Sequence, residues 1–166
     1  MTTDENAQNA YAGESQANRK YSVFAEKADA DGYPNVAKLY RAASQAEAVH
    51  AKRLLFILGQ VGSTEENLKK SVEGENYEFT TMYPEFVQQA KEERKNEAAI
   101  VFTHAMKAEE VHANLYLQAL ESVRTGKDLE AEGIYLCPVC GNIEIGSAPE
   151  KCPICGVPQR MFRAIE

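Results

Sequence analysis

Apolar side chains recur at helical spacing through most of the chain, in four separate stripes. The first covers about Asp4 to Ala30 and places Ala10, Ala17, Tyr21, Phe24 and Ala28 on one face, with Glu14 in phase. Asp31-Gly32-Tyr33-Pro34 breaks it. The second starts near Asn35, carries Val36, Tyr40, Ala43, Glu47, His50, Leu54 and Ile57, and stops near Gly59 or Gly62. The third opens on Ser63-Thr64-Glu65-Glu66, the pattern of a capping box. Its stripe is Leu68, Val72, Glu75, Glu78, Met82 and Phe86, and Pro84 predicts a kink just beyond the two glutamates. The fourth starts near Asn96, follows Ala98, Phe102, Ala105, Glu109, His112, Tyr116 and Leu120, and has Gly126 as its C-terminal cap. Lys127 to Glu132 reads as a charged linker, and beyond it short strands are expected at Ile134-Tyr135 and Met161-Phe162. The pattern predicts an all-α, four-helix region over 1–130 and a small second domain over 131–166.

The polar intruders carry the chemistry. Glu47-Ala-Val-His50 and Glu109-Glu-Val-His112 each set a carboxylate and an imidazole three residues apart, on one face of a helix. Glu14, and Glu75 with Glu78, occupy matching places on the other two helices. One such glutamate alone means little, because a residue at a stripe's edge can keep its head in water. Five carboxylates directed inward are another matter. Each buried without compensation costs several kcal/mol, against a net domain stability of about 5–15 kcal/mol. No lysine or arginine shares these stripes, so metal cations are the economical source of positive charge. Oxygen and imidazole donors suit iron or manganese, and this arrangement is the recipe for a di-iron carboxylate centre in a four-helix bundle. The glutamate and Glu-x-x-His spacing repeats in the second half, as in a duplicated helical hairpin. His104 falls off the ligand face and reads as structural or solvated.

A second metal signal closes the chain. Cys137-Pro-Val-Cys140-Gly and Cys152-Pro-Ile-Cys155-Gly hold all four cysteines, which suit one tetrahedral site for zinc or iron. Beside a centre that turns over two electrons, iron is the better choice, since zinc cannot relay charge. The net charge of −7 makes nucleic acid and anionic lipid poor partners. No apolar run approaches the ~20 residues of a membrane span. The start lacks a basic segment followed by an apolar one, so a cytoplasmic protein is expected. No glycine-rich dinucleotide fingerprint is present, so no direct nucleotide site is expected.

These residues resemble the rubrerythrin family over nearly the whole chain. The matching segments are Ala12-Gly-Glu14-Ser15, Ala46-Glu-Ala-Val-His50-Ala-Lys52, Glu73-Gly-Glu-Asn-Tyr-Glu78 with Met82-Tyr-Pro-Glu-Phe86, Ala108-Glu-Glu-Val-His112 and the two knuckles. The resemblance implies a ferritin-like bundle with a rubredoxin-like domain, two non-haem irons and one Fe(Cys)₄. It implies Glu14, Glu47, Glu75, Glu78, Glu109 and His112 as iron ligands, His50 as the alternate ligand that replaces Glu78 on reduction, and Tyr21 and Tyr83 as tyrosines beside the ligands. It implies reduction of hydrogen peroxide to water in oxidative-stress defence, with electrons from a reductase or a rubredoxin. Ferroxidase or iron-storage activity, or simple electron carriage, are the alternatives. The ferritin-like order needs helices two and three to run parallel. Almost no chain lies between Gly59 and Ser63 to return along the bundle, so a homodimer, domain-swapped between two chains, is expected.

Overall fold

The computed structural model describes residues 1–166. The chain divides into two compact units, residues 1–62 and 63–166. No helix is long and apolar enough to cross a membrane.

The first unit is a helical hairpin of α1 (Thr3–Ala30) and α2 (Pro34–Ile57). Thr2 starts α1 with a reciprocal cap. Its hydroxyl accepts from the Glu5 N–H at 3.2 Å, and the Glu5 carboxylate accepts from the Thr2 N–H at 2.6 Å. Gly32, at φ +82°, makes the reversal that a side chain would resist, and Pro34 then opens α2 with its fixed φ. The seam between the helices is built of small residues: Ala7, Ala25, Ala28, Ala37 and Ala51 are buried. Ser44, also buried, crosses the seam. Its hydroxyl donates to the Asn18 carbonyl at 2.9 Å, and the Asn18 amide donates to the Ser44 carbonyl at 2.7 Å.

The second unit packs α3 (Thr64–Tyr77) and α4 (Tyr83–Glu92) along α5 (Asn96–Arg124). The predicted capping box is in place, with the Ser63 hydroxyl accepting from the Glu66 N–H at 3.2 Å and the Glu66 carboxylate accepting from the Ser63 N–H at 2.7 Å. The expected single third helix is interrupted. Glu78–Met82 forms a π-helical turn, and Pro84 lies at the start of α4. Proline has no N–H to give and crowds the carbonyl four residues back, so the turn ahead of it widens, and the helix is disturbed where Pro84 predicts. That turn takes up one extra residue. The most buried positions of α4 are therefore Val87 and Ala90, while Phe86 stays at the edge of that face with its ring 5.7 Å from Phe102. Arg94, at φ +57°, turns the chain into α5, and Gly126, at φ +73°, ends that helix as expected.

The C-terminal part holds a three-stranded antiparallel sheet in the order β2-β1-β3, from β1 (Ile134–Leu136), β2 (Ile143–Ile145) and β3 (Arg163–Ile165). Tyr135 pairs with Glu144 on one side and Ala164 on the other. The strand expected at Met161-Phe162 is displaced. Gln159–Met161 is a 3₁₀ turn, and pairing begins at Arg163, where the chain first lies alongside β1.

Candidate metal centres

Three groups of metal-binding side chains form, and in each the donor atoms lie within 4.8 Å of one another. The first unit brings together Glu14 from α1 with Glu47 and His50 from α2. His50 Nδ1 lies 2.9 Å from Glu47 Oε2 and 3.6 Å from Glu14 Oε2. The hydrogen bond between the two carboxyls raises the Glu14 pKa and lowers that of Glu47. Two carboxyls this close disfavour each other's charge, which a cation between them would relieve. His50 is more open than its partners, with about half its side chain in solvent.

The second unit brings together Glu75 from α3 with Glu109 and His112 from α5. His112 Nδ1 lies 2.6 Å from Glu109 Oε2. Burial, and then the charge of Glu109, push the Glu75 carboxyl up to about 7. Glu78, in the π turn, is raised by burial and then by Glu109, so it faces the same group. Tyr83 is raised for the same reasons, by burial and then by Glu109, Glu78 and Glu75. Its ring meets Phe86 edge-on and Phe102 at a tilt, at centroid distances of 6.0 and 6.3 Å. Tyr21 stands in the corresponding aromatic cluster of the first unit, 6.4 Å from Phe24 and 6.0 Å from Tyr40.

The third group is the four cysteines. Cys137 Sγ lies 3.6 Å from Cys155 Sγ, and Cys140 Sγ lies 3.5 Å from Cys152 Sγ. A disulfide would bring two sulfurs to about 2.05 Å, whereas four thiolates about 2.3 Å from a central ion sit nearly 3.8 Å apart. The spacing fits a tetrahedral ion. Gly141 and Gly156, at φ +82° and +78°, close the two knuckles. Burial raises the Cys140 and Cys155 thiols. At Cys152 burial acts in the same sense, but the N–H groups of Cys155 and Ile154, together with the Cys140 and Cys155 sulfurs, outweigh it and lower the pKa.

One contact joins the second and third groups. His112 Nε2 lies 2.9 Å from the Gly141 carbonyl, next to Cys140. A carbonyl can only accept, so Nε2 carries the proton and Nδ1 faces Glu109. Carboxylate and imidazole donors in two groups, and four thiolates in the third, fit iron. Two features were not singled out by motif. Tyr116 is raised by burial and by Glu75 and Glu109. It lies one turn beyond His112 on the same stripe, which is the signal that could have found it. The Gly141 carbonyl had no such signal, because it acts through backbone. His104 joins none of the groups, as its off-face position predicts.

Residues 5–120 match the family described as Rubrerythrin, and residues 135–163 match its rubredoxin-like domain. The chain is 35% identical to Rubrerythrin-2 of Clostridium acetobutylicum over 169 residues, covering 93% of this chain and 92% of that one. It is 37% identical to nigerythrin of Nitratidesulfovibrio vulgaris, covering 98% of this chain and 86% of that one. A solved structure of nigerythrin in a partially reduced state superposes with a TM-score of 0.59 at 36% identity, over 99% of this chain and 87% of that one. The chain thus belongs to the rubrerythrin family, oxidoreductases that join a ferritin-like di-iron fold to a rubredoxin-like iron domain.

Proposed function

We propose that this protein is a non-haem di-iron peroxidase that reduces hydrogen peroxide to two waters, consuming two electrons and two protons. When bound, the paired irons supply the two electrons for O–O cleavage, and the four-cysteine iron returns them one at a time. The observation that carries this reading is the 2.9 Å contact from His112 Nε2 to the Gly141 carbonyl. It ties the carboxylate group to a cysteine knuckle through one hydrogen bond and a few covalent ones. A storage protein has no use for such a link.

The chain's own residues have these roles. Glu14, Glu47, Glu75, Glu78, Glu109 and His112 hold the metal pair, and His50 is the alternate ligand to Glu78. Its exposure in the first unit leaves it room to move. The Gly141 carbonyl fixes the His112 tautomer and aims Nδ1 at the metal side. Tyr83 and Tyr116 stay protonated near neutral pH, because burial and the nearby carboxylates disfavour the phenolate. Their hydroxyls can donate to a bound peroxide. Cys137, Cys140, Cys152 and Cys155 hold the mononuclear iron, and its electrons come from a reductase or a rubredoxin. The metal pair belongs to residues 1–130 and the mononuclear iron to residues 131–166.

The working form is a homodimer in which residues 1–62 of one copy complete the metal pair with residues 63–166 of the other. The short connection between α2 and α3 supports this. So do Leu39, Val49, Phe56 and Ile57 of α2, exposed on the single chain.

Stopped-flow mixing of the reduced, iron-loaded protein with peroxide tests the activity. Both iron types should reoxidise quickly, faster with peroxide than with dioxygen. Fast oxidation by dioxygen and slow oxidation by peroxide, or uptake of many irons per chain, overturns the reading in favour of ferroxidase or storage.

A further inference from the structure

A cleft of about 410 Å³ runs between the end of α4, the first half of α5 and the second cysteine knuckle. Lys91, Lys107 and His104 line it, with Thr103, Ile100 and Ile154. Ile154 sits between Cys152 and Cys155, so the wall of the cleft is the covering of the thiolate site. No carboxylate lines the cleft. Lys91 and Lys107 make no ion pair, although the chain carries a net charge of −7. Of the acids on the neighbouring turn, Glu93 is paired with Lys95 and accepts from Gln89, and Glu92 accepts from Gln88. The result is a small island of unpaired positive charge on an acidic protein, beside the one centre that must receive electrons from outside.

We propose that this cleft docks the acidic face of a one-electron carrier protein, whose carboxylates meet Lys91, Lys107 and His104. The inference rests on the peroxidase reading for the need of a donor, and adds where the donor binds and by what chemistry. The step is a single electron transfer. The carrier is oxidised by one electron and the four-cysteine centre is reduced by one, with no bond made or broken. A nicotinamide nucleotide delivers a hydride pair, which a one-electron centre cannot accept, so the occupant is a protein carrier rather than the nucleotide. Unpaired charges at the rim of such a site act chiefly on the encounter rate and its salt dependence.

The test uses the full-length, iron-loaded protein and a purified rubredoxin of strongly negative net charge. Binding is read by calorimetry, and reduction of the thiolate centre by its visible absorbance. In the parent protein both should weaken steeply as salt is added. The double variant K91E/K107E should lose affinity and second-order reduction rate by roughly tenfold or more, and lose most of the salt dependence. Reoxidation of the pre-reduced variant by peroxide should match the parent, since neither lysine belongs to a metal group. Unchanged carrier binding in K91E/K107E overturns the docking site. Binding of inorganic pyrophosphate at these lysines without any affinity for the acidic carrier also overturns it, in favour of a small-anion site. Slow peroxide oxidation of both proteins with the binding difference intact overturns the peroxidase reading and leaves the docking site standing.

Discussion

Glu75 illustrates the cost of directing a carboxylate inward beside other acids. Its folded pKa of about 7 lies well above the ordinary carboxylate value of 4.5, first because of burial and then because Glu109 is beside it. A raised carboxylate pKa means that the fold prefers the protonated form. The stability linked to Glu75 is fully present below about pH 4.5 and is lost as pH rises through 7. Glu78 and Glu14 shift the same way. Carboxylates whose pKa is lowered, such as Glu65, Glu66 and Glu93, oppose this only in stronger acid, below the ordinary range. The metal-free protein should therefore melt higher at pH 6 than at pH 8, by roughly 1–3 °C once solvent screening of this partly exposed group is allowed for. The iron-loaded protein should lose or reverse that slope, because protons then compete with metal for the same oxygens. Calorimetry of both forms at the two pH values checks this; a metal-free melting point that is flat or falls toward pH 6 contradicts it. This much of the site could be argued from sequence, because an unbalanced glutamate on a core stripe is a fault that only a cation repairs.

The π turn over Glu78–Met82 is where reading at the level of elements ran short. Helix ends were legible because each has a local chemical cause: the Ser63–Glu66 box, Pro34 at a first turn, Gly126 past a last one. Register within the third helix was not. Strict 3.6-residue spacing carries the inward face to Met82 and Phe86, and nothing in Thr80-Thr81 announces the extra residue. Pro84 marked the place of the disturbance but not its form. The sheet was half legible for a related reason. Strands of three residues have almost no period to read, and β2 escaped notice between the two knuckles. The π turn predicts a specific tolerance. Deleting exposed Thr81 should turn the segment into continuous α-helix and keep Tyr83, Val87 and Ala90 on the inward face. Deleting Gln88, two residues before buried Ala90, should instead rotate Ala90 out of the seam against α5. The Thr81 deletion should melt within about 2 °C of the parent and still bind metal, and the Gln88 deletion should melt clearly lower. Equal losses in the two would mean that the π turn does not set the register.

At the scale of the whole molecule the deciding quantity is the length of chain between the halves. Helix α2 has 24 residues and is roughly 36 Å long. A ferritin-like arrangement runs α2 and α3 parallel, so the connection must travel back along about that distance. Only Leu58–Ser63 is available. Fully extended, it reaches roughly 25 Å at the most. Gly59, at φ +61°, and the bond from the Gln60 N–H to the Leu55 carbonyl use part of that reach to end α2. This shortfall is what supports the proposed dimer, in which each chain lends the other a hairpin. The shortfall is geometric, so it should be curable. Inserting about 30 glycine and serine residues between Gly62 and Ser63 gives a flexible span of roughly 30–35 Å, enough for pairing within one chain. The local concentration of the tethered hairpin then exceeds any ordinary protein concentration, and pairing within one chain wins. Refolded at low micromolar concentration, the parent should run as a dimer by light scattering. The insertion variant should run as a monomer with the same iron content per chain, about three. A monomeric parent would refute the exchange outright. An insertion variant that stays dimeric would place the interface elsewhere, because no other feature of the dimer is altered by a longer tether.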